Sequence, residues 1–445
     1  MATIPQSSLP QQCGSWADLK AAYRLLSNEA VDPPDLQQPH RRFTYQQCED
    51  HPVVLCVQDD TDLNFTRRTK IKGLGKVGGG GNGRGVMQHT TLAVLPNGQL
   101  LGVLDQSWFN RVESSEGETR QESLARWRES CVWPDAVAHV GPSPEDTRFI
   151  HITDRAGDDL EMIHACRGQD VGFVVRARHN RRVQGGTDKL WSFMSKQPVQ
   201  GTIKVKVSCR RNSRNRIVRP THQAKVSIRF AHLQLEPPWN HPSSHKQPCR
   251  VWAVYICEKR PPKGADPIDW MLLTSELVTD IESAQRIIQW YQCRWVIEEW
   301  HRVLKEGCRL EASQLDNATD IQRLSAILSV ISVRMLQLRD LAGFRDCQLS
   351  TDPSESGRPD DPQALQKSVP KMWLSVVGYL ANIKVTQLTP RQFWLTIAKR
   401  GGWVGRKGDS RPGWKVIWRG WYDIHMMVQG AELYAESEYS TKICG

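Results

Sequence analysis

The alternation of apolar and polar positions divides the chain into stretches of distinct texture. "HPVVLCVQDD" (51–60) is a continuous apolar run into Asp59 and Asp60, which predicts a strand. "HTTLAVLPNGQLLGVLD" (89–105) reads as a hairpin turning at Asn97-Gly98. "RFIHIT" (148–153) is a strand ending on Asp154, followed by a helix starting near Asp158 and by the strand "VGFVVRAR" (171–178). Strands and helices in this order predict an α/β arrangement on a mixed sheet. Upstream, "SWADLKAAYRLLSN" (15–28) has a helical pattern and "DPPDLQQPHRR" (32–42) reads as a loop. A charged helix is expected over about 117–130.

From about 183 to 268 the period changes. "GTIKVKVSC", "QAKVSIRFAHLQLE" and "RVWAVYICEK" alternate strictly between turn-rich segments, which predicts an antiparallel, β-rich subdomain. Helices return at about 280–310 and 318–342. "STDPSESGRPDDPQ" (350–363) has linker composition, and a final helical region carries the basic, Trp-rich stretch "RGGWVGRKGDSRPGWKVIWRGW".

Within the first of these helices, "YQCRWVIEEWHRVLK" (291–305) places Tyr291, Arg294, Glu298 and Lys305 at roughly 0°, 300°, 340° and 320° around a helical wheel, with Glu299 off this stripe. Such a stripe is either a solvated charged face or one wall of a site that grips a phosphate and a metal together.

Composition sharpens the choice. The 445 residues carry a net charge of +11 and a pI near 9.1, so an acidic polymer is the expected partner. The N-terminus lacks the pattern of a secretory signal, and the apolar run "LSAILSVISV" (324–333) is too short to cross a bilayer. A cytoplasmic protein with no membrane partner is expected, with "LSAILSVISV" in a buried core helix. None of the 12 cysteines stands at CxxC spacing, which argues against a zinc ribbon, and Cys56 and Cys257 read as core. Most of the 17 tryptophans must be core, but aromatic surface beside positive charge also suits stacking on bases.

Asp59 and Asp154, at the ends of two strands, can join Glu298 from a helix packed alongside. Three hard carboxylates suit Mg²⁺ or Mn²⁺. Two such ions roughly 3.5–4 Å apart activate a water or a 3′-hydroxyl and stabilise the leaving oxygen of a phosphodiester. Asp62, Asp158 and Asp159 read instead as turn formers or helix caps. The Gly-rich stretch "KIKGLGKVGGGGNGRG" (70–85) departs from GxxxxGK[ST], because Val77 follows Gly75-Lys76, and fits better as a basic loop lying on a nucleic-acid backbone. There is no GxSxG and no cysteine with a plausible partner. Tyr291 could serve as a recombinase-type nucleophile, but beside a carboxylate it reads better as a phosphate contact.

The spacing Y-x2-R-x3-E-x6-K at Tyr291, Arg294, Glu298 and Lys305 resembles the signature of the insertion-sequence-four family of bacterial DDE transposases, the transposon-five type. "VQDDTDLNFT" and "ITDRAGDDLEMI" are similar to the family's two Asp motifs, "GNGRGVMQHTTLAV" to the family's segment after the first of them, and "WMLLTSE" to the segment ahead of the signature helix. The tail "GGWVGRKGDSRPGWKVIWRGW" resembles that of many members, so the likeness runs in order over roughly residues 14–425 and is patchy in the strand-rich middle. It implies a ribonuclease-H-like core in two parts, 51–182 and 269–345, interrupted by a β-rich insertion at 183–268. A polar linker (346–368) and a helical, basic C-terminal region (369–445) would follow.

The resemblance also assigns roles. Asp59, Asp154 and Glu298 become the catalytic, metal-binding triad. Tyr291, Arg294 and Lys305 become contacts to the phosphate beside a flipped base at the transposon end. Trp270 matches the Trp that stacks on that base, and reads equally as a core residue leading an apolar strand. Arg155 and Arg176 fall in matching basic motifs as DNA contacts. The activity implied is Mg²⁺-dependent cutting and pasting of double-stranded DNA through a hairpin, by a homodimer in a synaptic complex with target DNA.

Two departures qualify the likeness. The family has Thr where Asp60 stands, so an extra carboxylate lies beside the site. Relatives also carry a longer N-terminal region that recognises the transposon ends. Residues 1–50 are therefore read as a remnant lacking the first half of that module. The rival expectation is a shortened, non-transposing inhibitor that binds DNA or dimerises with a full-length enzyme.

Overall fold

The computed structural model describes residues 4–443 apart from 112–116, 120–121, 123–125, 208–209, 212–215, 238–246, 346–358, 407–408 and 410. Twelve strands run in chain order: β1 Val53–Asn64, β2 Gly75–Val77, β3 Gly83–Val94, β4 Leu100–Phe109, β5 Arg148–Thr153, β6 Gly172–Arg176, β7 Gly201–Val207, β8 Arg210–Arg211, β9 Ile217–Arg219, β10 His222–Leu235, β11 Cys249–Glu258 and β12 Asp269–Thr274. Ten of them form one mixed sheet in the order β2-β3-β1-β5-β6-β12-β11-β10-β7, with β4 on β3. Among the described strands, only β1–β5 and β5–β6 pair in parallel.

The sheet is covered on both faces, which is why β1 reads as an unbroken apolar run. Side chains alternate across it. Leu55, Val57, Ile150, Ile152 and Val174 join one core with the helices Ile281–Gln292, Trp295–Arg302 and Ala318–Leu341. Val54, Cys56, Phe149, Phe173 and Val175 join the other, under the helices Val132–Val140, Leu160–Gly168 and Leu190–Lys196.

The long strands of the 183–268 region form no sheet of their own. They extend the main one edge to edge, β12 pairing with β6 at Val174–Arg176 and β11, β10 and β7 following. Alternation predicts a strand, whereas its neighbour is set by tertiary packing.

Three further expectations change. Residues 33–48, read in part as a loop, form the helix Pro33–Cys48. Pro33 and Pro34 occupy its first turn, where a missing N–H costs nothing. The interior Pro39 sits between residues that bind this helix to its neighbours, Gln37 through Gln106 and the Ala326 carbonyl and Arg41 through the Leu104 carbonyl. The run 324–333 belongs to the 24-residue helix Ala318–Leu341, which is long and apolar enough to span a bilayer. Its most apolar window is 61% buried inside the protein, and Arg323, Arg339 and Asp340 are buried with it. Cys257 is half-buried rather than core. Among the described residues no cysteine forms a disulfide.

The Asn97-Gly98 hairpin forms as its dipeptide predicts, with Gly98 at φ 83° and its N–H donating to the Leu95 carbonyl. Within the charged helix expected over 117–130, residues 120–121 and 123–125 lie outside the described residues, and the described end of that stretch forms only the short turn Glu129–Cys131. Much of the linker also lies outside the described residues. At the C-terminus the helices Lys371–Ala381, Pro390–Arg400 and Trp414–Ile443 pack together. Gly401 and Gly420 permit the last two to touch, since a Cβ on Gly420 would strike the Ile397 carbonyl.

Candidate active site

Asp59 lies where β1 loses its parallel neighbour. The last β1–β5 pair is Val57–Ile152, while pairing with β3 continues through Asp59–Thr90 to Asn64. The carboxylate therefore sits within a strand, at a crevice opened by the end of β5, rather than at a strand end as expected. Asp154 follows β5 directly, its Oδ1 accepting the Ala156 N–H at 2.7 Å. Asp59, Asp154, Arg176 and Trp270 share the parity of Leu55, Ile152, Val174 and Leu272, so all four face the helix pair Ile281–Gln292 and Trp295–Arg302. This parity was a legible signal that the motif spacing alone did not use.

The signature segment is not one straight helix. It turns at Cys293–Arg294 between its two helices, and residues Val303–Gly307 form a π turn. The stripe survives this kink in altered form. Arg294 Nη1 lies 3.4 Å from Asp59 Oδ2, and Nη2 donates to Glu298 Oε1. Lys305 points instead to β1, donating to the Asp62 carbonyl at 2.5 Å and pairing with Glu311 at 3.3 Å. Glu311 also accepts the Asn64 N–H at 2.9 Å, a role the sequence did not suggest.

Tyr291 is buried, and its ring meets Trp270 edge-on at 5.3 Å. Arg176 stands 5.9 Å over the Trp270 ring, and its Nη2 donates to the Asp269 carbonyl at 3.1 Å. Burial pushes the Tyr291 phenol up, and the neighbouring Arg294 and Arg176 pull against that shift. The half-buried Trp270 rests on the core. Arg155, next to Asp154, is exposed.

Burial first, then Asp154, Glu298 and Asp60, raise Asp59 to about 7 against the pull of Arg294. Burial opposes charge on Arg294, but Tyr291, Asp59 and Glu298 outweigh it and raise its pKa. No group of three His, Cys, Asp or Glu side chains among the described residues is close enough, as it stands, to hold a metal ion. The donor set is nonetheless that of a hard cation, and the Arg294 guanidinium lies between two of its members. The residues fit a divalent metal in kind, with Arg294 in the place of its charge.

Asp60 does not join this face. One residue on from Asp59, it turns to the opposite side and meets the buried His89 at 2.6 Å, whose ring stands edge-on to Trp133. Asp62 accepts the Gly78 N–H, Asp158 binds Arg181 and two backbone N–H groups, and Asp159 caps the helix Leu160–Gly168. Glu299 is buried against Arg339 and Arg411, partners too distant in sequence to foresee.

Three family models match the chain in order: Transposase DNA-binding at residues 1–31, Transposase DDE domain at 139–332 and Transposase Tn5 dimerisation domain at 383–442. The DDE match spans Asp154, Trp270 and Glu298, while Asp59 lies before it. A mixed α/β fold with clustered acids, flanked by DNA-binding and dimerisation regions, defines a DNA-cleaving and strand-transferring enzyme. The chain belongs to the DDE transposases of the Tn5 type. Domains of this kind use divalent metal ions.

Proposed function

We propose that this enzyme cuts and pastes its own element, with Asp59, Asp154 and Glu298 together holding Mg²⁺, or Mn²⁺ in its place, on a ribonuclease-H-like core. The observation that supports this reading is the Arg294 guanidinium set between Asp59 and Glu298, the first on a strand and the second on the signature helix. When bound, a pair of divalent cations supplies activation of the attacking oxygen and stabilisation of the leaving one.

The chain's own residues bind and orient the DNA. Arg294 exchanges its carboxylate partners for phosphate oxygens when a strand enters, and Lys305 stands at the rim of β1 to hold the next phosphate. Trp270, set by Tyr291 and Arg176, offers a stacking face to a base displaced from the helix. Arg155 and Arg176 contact the strands on either side.

Water first breaks a phosphodiester at the element end, leaving a 3′-hydroxyl and a 5′-phosphate. That hydroxyl then attacks the opposite strand, forming one P–O bond as another breaks and closing a hairpin. A second water reopens the hairpin, and the 3′-hydroxyl attacks target DNA by the same exchange. Two copies of the chain hold the two ends in a synaptic complex, in the bacterial cytoplasm at the nucleoid.

The test is incubation with a plasmid carrying the DNA that borders the gene on both sides. Metal-dependent excision with hairpin-ended product supports the reading. Binding and dimerisation without any cleavage would instead support a non-transposing inhibitor.

A further inference from the structure

Glu298 has a neighbour whose environment is its opposite. Glu299 is 2% exposed, and its two carboxylate oxygens are claimed by arginines from different parts of the chain. Oε2 accepts from Arg339 of the helix Ala318–Leu341. Oε1 accepts from Arg411 Nη2 at 2.8 Å, while Arg411 Nη1 donates to the Phe344 carbonyl at 2.9 Å. Arg339 also holds the buried Asp340 at 2.5 Å through Nη2, and Arg345 lies 3.6 Å from that carboxylate.

Arg411 belongs to the segment ahead of the last helix, inside the region matched to the Tn5 dimerisation domain. A second contact runs from the same region. Trp418 covers Gly307, at the end of the turn that carries Lys305, so closely that a Cβ there would enter the indole. The C-terminal segment thus grips the signature helix at Glu299 and, two turns on, at Gly307. Arg294 and Asp59 lie on the other side of that helix.

We propose that Glu299 and Arg411 are positioning residues, a strut through which the docked C-terminal segment fixes the rotation of the helix bearing Glu298. Neither touches DNA. The strut rests on the assignment of Glu298 to the catalytic triad. A buried carboxylate left without Arg411 loses one of its two charged partners, and rotation or sliding of its helix is the response that would carry the change to the site. Glu298, the adjacent residue, moves with it. A displacement of about 1 Å at a reacting group costs on the order of a hundredfold in rate.

The experiment uses the full chain and the plasmid bearing the DNA that borders the gene. Arg411→Ala, Arg411→Lys, Glu299→Gln and the Arg411→Ala/Glu299→Gln pair are compared with Glu298→Ala. DNA affinity, melting temperature and single-turnover nicking of prebound DNA are read for each. Arg411 is a third exposed, so its variants keep the test open even where Glu299→Gln fails to fold.

Arg411→Ala is expected to slow nicking tenfold or more at unchanged DNA affinity, with partial recovery in Arg411→Lys and no further loss in the double variant beyond Glu299→Gln. Nicking by Arg411→Ala at the parental rate, or losses that multiply in the double variant, would overturn the strut. So would weakened DNA binding with an intact single-turnover rate, which would make Arg411 a DNA contact. Cleavage by Glu298→Ala would overturn the site assignment and the strut with it. An inert Glu298→Ala beside a fully active Arg411→Ala would overturn the strut alone.

Discussion

Arg294 lies between Asp59 and Glu298, 3.4 Å from the first through Nη1 and hydrogen-bonded to the second through Nη2. A guanidinium thus balances carboxylates that converge from a strand and a helix far apart in sequence. In the proposed site it stands where a metal's charge would act, so the two would compete for the same acids.

Replacing Arg294 by Ala is therefore expected to expose the repulsion it masks. In chelator the variant should be less stable by on the order of 1–3 kcal/mol, a shift of a few degrees in melting temperature. Added Mn²⁺ should then raise its melting temperature by more than it raises that of the parent, because no guanidinium opposes the ion. Thermal melts with and without Mn²⁺ measure this. Equal Mn²⁺ shifts in the two proteins would contradict the competition.

Trp270 meets Tyr291 at 5.3 Å and carries Arg176 above its ring, so the indole is fixed by its surroundings before any base arrives. Removing it should affect the step that needs a displaced base. Trp270→Ala is expected to nick one strand at near-parental rate and to close few hairpins, since base–aromatic stacking is worth about 1–3 kcal/mol. Resolving nicked and hairpin products on denaturing gels distinguishes the steps. Hairpin closure at the parental rate would return Trp270 to the core.

His40 gives the fold a dependence on acid that is separable from the site. Its Nε2 accepts the Val103 N–H at 3.1 Å, which requires a neutral ring, and burial, aided by Arg334, lowers its pKa to about 4. The unfolded chain takes up that proton near pH 6.5, so the unfolded state binds more protons between about 4 and 6.5. The stability from this group is complete above pH 6.5 and is lost as pH falls toward 4. At pH 5 the loss is about 2 kcal/mol. His40→Gln keeps an acceptor without the titration, so its stability relative to the parent should improve by about that amount between pH 7 and 5. Urea denaturation at the two pH values tests it, and an unchanged difference would contradict it.

Much of this architecture was legible in local pattern. The unbroken run of β1, the alternation of β10 and β11 and the Asn97-Gly98 turn each report a local cause: burial on two faces, burial by parity, and a dipeptide that accepts positive φ. Parity along β1 separates Asp59 from Asp60, sending the second to His89. What pattern could not convey was partnership. Nothing near β12 says that it pairs with β6, and nothing near Glu299 names Arg339 or Arg411. The helix Pro33–Cys48 was hidden by its prolines, two of which suit a first turn. The kink at Cys293–Arg294, which turns the guanidinium between two acids, has no proline or glycine to announce it.

The central claim is that Asp59, Asp154 and Glu298 act together as one metal-dependent centre. The most direct measurement pairs strand cleavage with binding for Asp59→Ala, Asp154→Ala and Glu298→Ala, using labelled DNA from the borders of the gene in Mg²⁺ and in Mn²⁺. Affinity comes mainly from phosphate contacts by basic side chains, so all three variants should bind the DNA about as tightly as the parent. Each should lose cleavage in both metals, because the ions need every carboxylate. Sustained cleavage by any one of the three, at parental DNA affinity, would remove that residue from the centre and contradict the account.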